Sequence, residues 1–223
     1  MDLKPVKARP GSAIIDIGAF KGKVAKELSE AFPKSIVHAI EADPVNYKFL
    51  KNNCKKCGNI RVYNVAINKC ACDTDIYVAK SPKYKEKGIK LTSQANSMFK
   101  EFVADKGKIR KITVPGVTLD EFCVTNKIGN IGLLKINCEG CEFKLFTSTT
   151  RFLEQTDAIY LALHGGKFFS SDEFEEQKIN INNMLIQVGF ACVDGPGLTK
   201  IPITKPRPMV ERQDHVIQMW IKK

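Results

Sequence analysis

The run Ile14-Ile15-Asp16-Ile17 breaks at Gly18, passes Ala19-Phe20-Lys21 to a second glycine, Gly22, and then enters an amphipathic stretch. A second apolar run, Ile36 to Ile40, ends in an acid, Glu41, followed by Ala42-Asp43-Pro44. Strand, glycine loop, helix, second strand and terminal acid, in that order, constrain the chain to an α/β nucleoside-binding fold. In such a fold the loop and the acid meet at the carboxyl ends of parallel strands.

The loop narrows the ligand. A dinucleotide site needs Gly-x-Gly-x-x-Gly, so that backbone amides close on a pyrophosphate. Here the spacing is Asp16-x-Gly18-x-x-x-Gly22; Phe20 and Lys21 would crowd a diphosphate and Asp16 would repel it. The same residues suit S-adenosyl-L-methionine, which has no phosphate and carries an amino group that Asp16 would welcome. Gly18 and Gly22 permit a tight turn and close passage of the amino-acid moiety, with Ala19, Phe20 and Lys21 between them. Glu41 stands 19 residues beyond Gly22, where a carboxylate can accept both ribose hydroxyls. Ala42 follows it, and Val65-Ala66-Ile67 offers an apolar bed for adenine.

The remaining pattern continues the alternation of strand and helix. Strands are predicted at Ala13–Ile17, 35–40, 60–65, 132–137, 158–163, 190–193 and 215–221. A helix after Gly22 carries Val24, Leu28, Ala31 and Phe32 on one face. A second starts on the Asp43-Pro44 cap and stops near Cys57-Gly58. Further helices are predicted at 119–124, 139–146 and 172–188. Residues 73–117 form an excursion: two β-like segments, 75–78 and 111–114, flank a lysine-rich stretch. It reads equally as a lid or as a surface hairpin extending the sheet edge. No repeat or linker interrupts residues 1–223, so one domain is expected.

The 223 residues, 43% hydrophobic and 26% charged, suffice for a packed core, and no run reaches the roughly 18 apolar residues of a membrane span. A soluble, cytoplasmic protein is the expectation; nothing sets the oligomeric state. Thirty-five basic against 24 acidic side chains give +11. The excess is lysine, as in Lys80 to Lys90, without an arginine-rich, aromatic-interleaved stripe. Nucleic acid is therefore a possible partner and not the favoured one. Cys54-x-x-Cys57 and Cys70-x-Cys72 have zinc-like spacings. Because residues 59–65 between them read as a core strand, buried reduced thiols are the simpler expectation.

Five segments in order resemble the FkbM-type S-adenosylmethionine-dependent methyltransferases: Ile15–Gly22, Ala39–Pro44, Asn64–Ile67, Val117–Phe122 and Leu133–Glu142. The last, Lys135-Ile136-Asn137-Cys138-Glu139-Gly140-Cys141-Glu142, is the most specific, since the family shows Lys-Ile-Asp-x-Glu-Gly-x-Glu there. The resemblance implies a Rossmann-like class I methyltransferase fold: α/β, with a seven-stranded, mostly parallel sheet, helices on both faces and one late antiparallel strand. It implies an O-methyltransferase whose acceptor is a hydroxyl of a small molecule or glycan, sugars foremost. It also sets aside a redox role for Cys138 and Cys141, which fall where the pattern takes small apolar residues. Two positions depart from the family: Asn137 replaces an aspartate, and Ala162 stands where a glutamate is expected two residues before His164. With those carboxylates gone, no metal site is expected.

Methyl transfer needs the acceptor positioned and its proton taken. His164 or Glu139 is the expected general base, with Lys135 and Asn137 orienting the acceptor. Glu139 and Glu142 could instead complement a helix dipole, and His164 could be structural. An RNA methyltransferase and a non-catalytic cofactor-binding protein are the alternative functions.

Overall fold

The computed structural model describes residues 3–80, 96–103, 108–146, 151–165, 169–193 and 215–223. Its elements are β1 (Ala13–Ile17), α1 (Lys23–Ala31), β2 (Val37–Ile40), α2 (Pro44–Cys54), β3 (Ile60–Tyr63), β4 (Ala66–Ile67), β5 (Thr74–Lys80), α3 (Lys100–Val103) and β6 (Lys108–Val114). There follow β7 (Gly116–Val117), α4 (Leu119–Thr125), β8 (Ile131–Ile136), α5 (Glu142–Phe146), α6 (Arg151–Glu154), β9 (Ala158–His164), α7 (Ser171–Gln187), β10 (Phe190–Cys192) and β11 (His215–Lys222).

Seven strands form one sheet in the order β10-β11-β9-β8-β1-β2-β3. All pairs are parallel except those made by β11. The central strands are buried on both faces, which is why they read as unbroken apolar runs rather than alternating ones. Alternate residues divide them between two cores. Ile15, Ile17, Leu134 and Leu161 face Leu119, Phe174 and Leu185 of α4 and α7. Ile14, Leu133 and Val37 face Ala25, Leu28 and Leu50 of α1 and α2. Each such Val, Leu, Ile or Phe side chain contributes about 1.5–3 kcal/mol by leaving water.

From β1 the chain winds outward through β2 and β3, then returns to β8 on the other side of β1. The winding reverses between β1 and β8, and a crevice opens at their carboxyl ends, the place where α/β sheets bind ligands.

Some elements differ from the sequence reading. On α1 the buried residues are Ala25 and Leu28, while Ala31 is exposed. Helix α2 ends at Cys54, and a turn with Cys57 N–H on the Cys54 carbonyl (2.9 Å) takes the place of a glycine cap at Gly58. The third strand stops at Tyr63; Ala66–Ile67 leaves the main sheet and pairs with β7. Helix α5 starts at Glu142 rather than Glu139, because Glu139 and Gly140 are left-handed (φ 56° and 104°).

The excursion does not extend the main sheet: β5 and β6 pair with each other as a separate antiparallel ribbon. Ser97 joins the ribbon through two backbone bonds with Tyr77, of 2.7 and 3.1 Å. Most of the lysine-rich stretch, 81–95, and the proline-rich connection before β11 lie outside the described residues.

The expectation of reduced thiols fails at two pairs. Cys70 is bonded to Cys72, and Cys138 to Cys141. Cys54 is buried and Cys57 half-buried, both unbonded, and the other two zinc-spaced cysteines are tied up in their own bond. Among the described residues no three His, Cys, Asp or Glu side chains are arranged to hold a metal ion. No described helix is long and apolar enough to cross a membrane.

Candidate active site

The crevice is a partly open cleft. Its first wall is the end of β1 and β2: Gly18, Phe20, Glu41 and Asp43. Its apolar bed is Val65, Ala66, Ile67 and Ile76, and the excursion closes one side with Asn96, Ser97 and Met98. The far end is the turn after β8, with Asn137, Cys138, Glu139 and Cys141.

Glu41 is the best-defined polar group of the first wall. Its Oε2 accepts the Phe20 N–H at 2.8 Å, and its Oε1 accepts the Asp43 N–H at 2.9 Å and, more weakly, Asn46 Nδ2 at 3.5 Å. Asn64 Nδ2 donates to the carbonyls of both Glu41 and Ala42 at 2.9 Å, which fixes the backbone there. Burial pushes the Glu41 carboxyl up to about 7, against the pull of the two backbone donors. Oε2 keeps a lone pair for a further donor, as a ribose hydroxyl would provide, while Oε1 already takes Asp43 N–H and the weak Asn46 contact. Asp43 caps α2 through Val45 N–H and accepts Asn96 Nδ2 at 2.7 Å, tying the excursion to the nucleoside wall. Asn96 Oδ1, buried, meets no hydrogen-bond partner among the described residues. Carboxylate, apolar bed and unfilled acceptor together fit a nucleoside.

The glycine loop serves packing more than ligand contact. Gly18 has φ 77°, and a Cβ there would lie 2.0 Å from the Asn137 carbonyl oxygen, so its glycine lets the loop close on β8. Gly22, at φ 87°, lies against Leu50 and Cys54 of α2, where a Cβ would come within 2.8 Å of both side chains. Ala19 is buried in the α1–α2 core, and Lys21 lies over the Phe20 and Phe49 rings. Ala19, Lys21 and Gly22 thus stand outside the cleft lining, whereas Gly18, Phe20, Glu41, Ala42 and Ala66 are part of it.

Asp16 and Lys135 were expected at cofactor and acceptor. The structure pairs them with each other. The two residues are register partners on β1 and β8, both buried, with Lys135 Nζ 2.7 Å from Asp16 Oδ1. The ammonium also donates to the carbonyls of Ile17 and Gly18, at 3.2 and 3.1 Å. This buried pair holds the loop from beneath. Asp16 Oδ2 meets no hydrogen-bond donor among the described residues.

At the far end three side chains come together. Glu142, fully buried, accepts Cys138 N–H at 3.2 Å and Gly140 N–H at 2.6 Å. Its Oε1 also lies 2.7 Å from His164 Nδ1, and His164 Nε2 lies 3.8 Å from Glu139 Oε1. Of the expected catalytic set, Glu139 and Asn137 face the cleft, and His164 stands behind Glu139. The sequence reading missed the partnership of Glu142 with His164, and it gave no role to Asn64, Asn96 or Ser97.

Fold and cleft define a class I S-adenosylmethionine-dependent methyltransferase. The profile of the methyltransferase FkbM domain matches residues 16–190, and the chain belongs to that family. A search of curated protein sequences found no match. Among solved structures, the FkbM methyltransferase of Methylobacillus flagellatus aligns with TM-score 0.55 and 12% identity, over 95% of this chain and 44% of that one. The fibrillarin pre-rRNA processing protein of Methanococcus jannaschii aligns with TM-score 0.53 and 15% identity, over 97% of this chain and 70% of that one. A Streptococcus mutans protein solved in complex with S-adenosylhomocysteine gives 0.52 and 10%, over 99% and 93%. At these identities the likeness is one of fold.

Proposed function

We propose that the chain methylates a hydroxyl of a small molecule or glycan, a sugar foremost, with Glu139 as the general base. The observation that carries this reading is the posture of Glu139. A non-glycine residue at φ 56° costs on the order of 1–3 kcal/mol, a cost that clusters at working sites. Here the strain is held by Ser97 Oγ on the Glu139 carbonyl (2.6 Å) and by Glu142 on both flanking amides.

Bound S-adenosylmethionine supplies an activated methyl group on a sulfonium. Glu41 would hold its ribose and Val65 to Ile67 would bed the adenine, with Gly18 and Asn137 lining the same cleft for the amino-acid portion. Exposed Asn137 orients the acceptor. The Glu139 carboxylate takes the proton of the acceptor hydroxyl, whose oxygen would accept the methyl group as the S–CH3 bond breaks and the neutral thioether leaves. His164 positions Glu139 from behind and is itself fixed by Glu142. Asp16 and Lys135 keep the loop in place without touching either reactant.

The test is a radiolabelled methyl-transfer screen over sugars and nucleoside-diphosphate sugars, followed by Glu139→Gln on the best acceptor. Turnover should fall by about 10²–10⁴-fold with S-adenosylhomocysteine affinity retained. Full turnover in the variant would remove Glu139 as the base.

A second reading, an RNA acceptor, draws on the net charge of +11 and on the pre-rRNA processing role named for the fibrillarin neighbour. RNA binding would fall steeply between low and moderate salt as counterions are released, and a sugar acceptor would be nearly indifferent.

A further inference from the structure

We propose that Cys138 and Cys141 are a reversible thiol–disulfide exchange site in the wall of the cofactor cleft, so that nucleoside binding and thiol redox state are coupled. Both residues line the cleft, and their Cα atoms lie 5.6 Å apart, within the span of a disulfide. The other bonded pair, Cys70–Cys72, sits outside the cleft lining in the approach to β5.

The two sulfurs differ in access. Cys138 is partly exposed at the cleft, and Cys141 is 3% exposed behind it. A small disulfide, such as a glutathione-type molecule, therefore meets Cys138 first. The Cys138 thiolate attacks one sulfur of the small disulfide, whose S–S bond breaks and releases one thiolate. The Cys141 thiolate then attacks Cys138 Sγ in the mixed disulfide and expels the second. Two protein thiols are oxidised, one small disulfide is reduced to two small thiols, and those take up the two protons.

The exchange acts on a turn that is held in place. Between the cysteines, Glu139 and Gly140 are both left-handed. Ser97 Oγ bonds the Glu139 carbonyl, and a Cβ on Gly140 would lie 3.2 Å from the Phe99 ring. The turn and the excursion wall are thus one assembly across the cleft. The disulfide fixes that assembly in the form that lines the cofactor site; reduction restores freedom to Glu139 and Gly140. The oxidised form then binds the nucleoside more tightly, and a bound nucleoside favours the disulfide by the same factor.

The experiment titrates the full chain with S-adenosylhomocysteine by calorimetry, after dithiothreitol and after oxidised glutathione, with peptide mapping of alkylated thiols. It includes Cys138→Ser/Cys141→Ser and, as control, Cys70→Ser/Cys72→Ser. We expect affinity to rise about 5–30-fold on oxidation, matching a coupling of order 1–2 kcal/mol. The control should keep that rise and the 138/141 variant should lose it while still binding. A pair that stays unoxidised in glutathione disulfide, equal affinities with the pair mapped as oxidised, or no binding in either state would each overturn the proposal. No turnover is read, so the outcome is independent of whether Glu139 is the base.

Discussion

Glu41→Gln separates the charge of the nucleoside-wall acid from its shape. In the native protein burial raises this carboxyl from 4.5 to about 7. A raised acid binds its proton more tightly folded than unfolded, so between about pH 4.5 and 7 the folded state carries more protons and stability falls as pH rises. At 1.36 kcal/mol per pH unit the full cost reaches roughly 3 kcal/mol above pH 7. Glutamine removes this cost but offers one acceptor where Phe20 N–H and Asp43 N–H need two, a loss of about 1–3 kcal/mol at any pH. The wild type should therefore be the more stable protein near pH 5, and the two should converge or cross by pH 8. Urea unfolding of both proteins at pH 5, 6, 7 and 8 reads this directly, since titrating groups away from Glu41 and its neighbour Asp43 cancel in the difference. A difference that stays constant across the series would refute the assignment of a buried, proton-retaining Glu41.

Lys135→Met leaves the buried Asp16 carboxylate without its cation. Urea unfolding should show a loss of about 3–5 kcal/mol, partly restored when Asp16→Asn is added; a loss below about 1 kcal/mol would contradict the buried pair. Gly18→Ala places a Cβ 2.0 Å from the Asn137 carbonyl oxygen, so the loop must leave β8; calorimetry should find S-adenosylhomocysteine affinity reduced at least about tenfold, and native affinity would count against the close approach. His164→Ala should lower turnover about 10²-fold without changing cofactor affinity, and unchanged methyl transfer would take the histidine out of the mechanism.

The strands and the nucleoside acid were readable because their signals are local. Continuous apolar runs mark doubly covered strands, and Glu41 follows one of them at the position where such strands present an acid. The pairing of Asp16 with Lys135 was not legible because it depends on β1 and β8 being neighbours in register, across more than a hundred residues of chain. Spacing within either motif carries no trace of that adjacency. The helix after β8 was begun three residues early for a related reason. Glu142 reaches back to the amides of Cys138 and Gly140 and holds Glu139 left-handed, a choice that helix propensity at Glu139 does not report. The role of Asn96 to Met98 needed the excursion's pairing with Tyr77, and that of the cysteine pair needed the geometry of the turn itself.

The central claim is that this cleft holds S-adenosylmethionine through Glu41. The most direct measurement is calorimetric titration of S-adenosylmethionine into the wild-type protein and into Glu41→Ala, with circular dichroism confirming that both are folded. Micromolar binding in the wild type and its loss in the folded variant is the predicted result. A folded wild type that binds nothing, or a variant that binds as tightly as the wild type, would contradict the account.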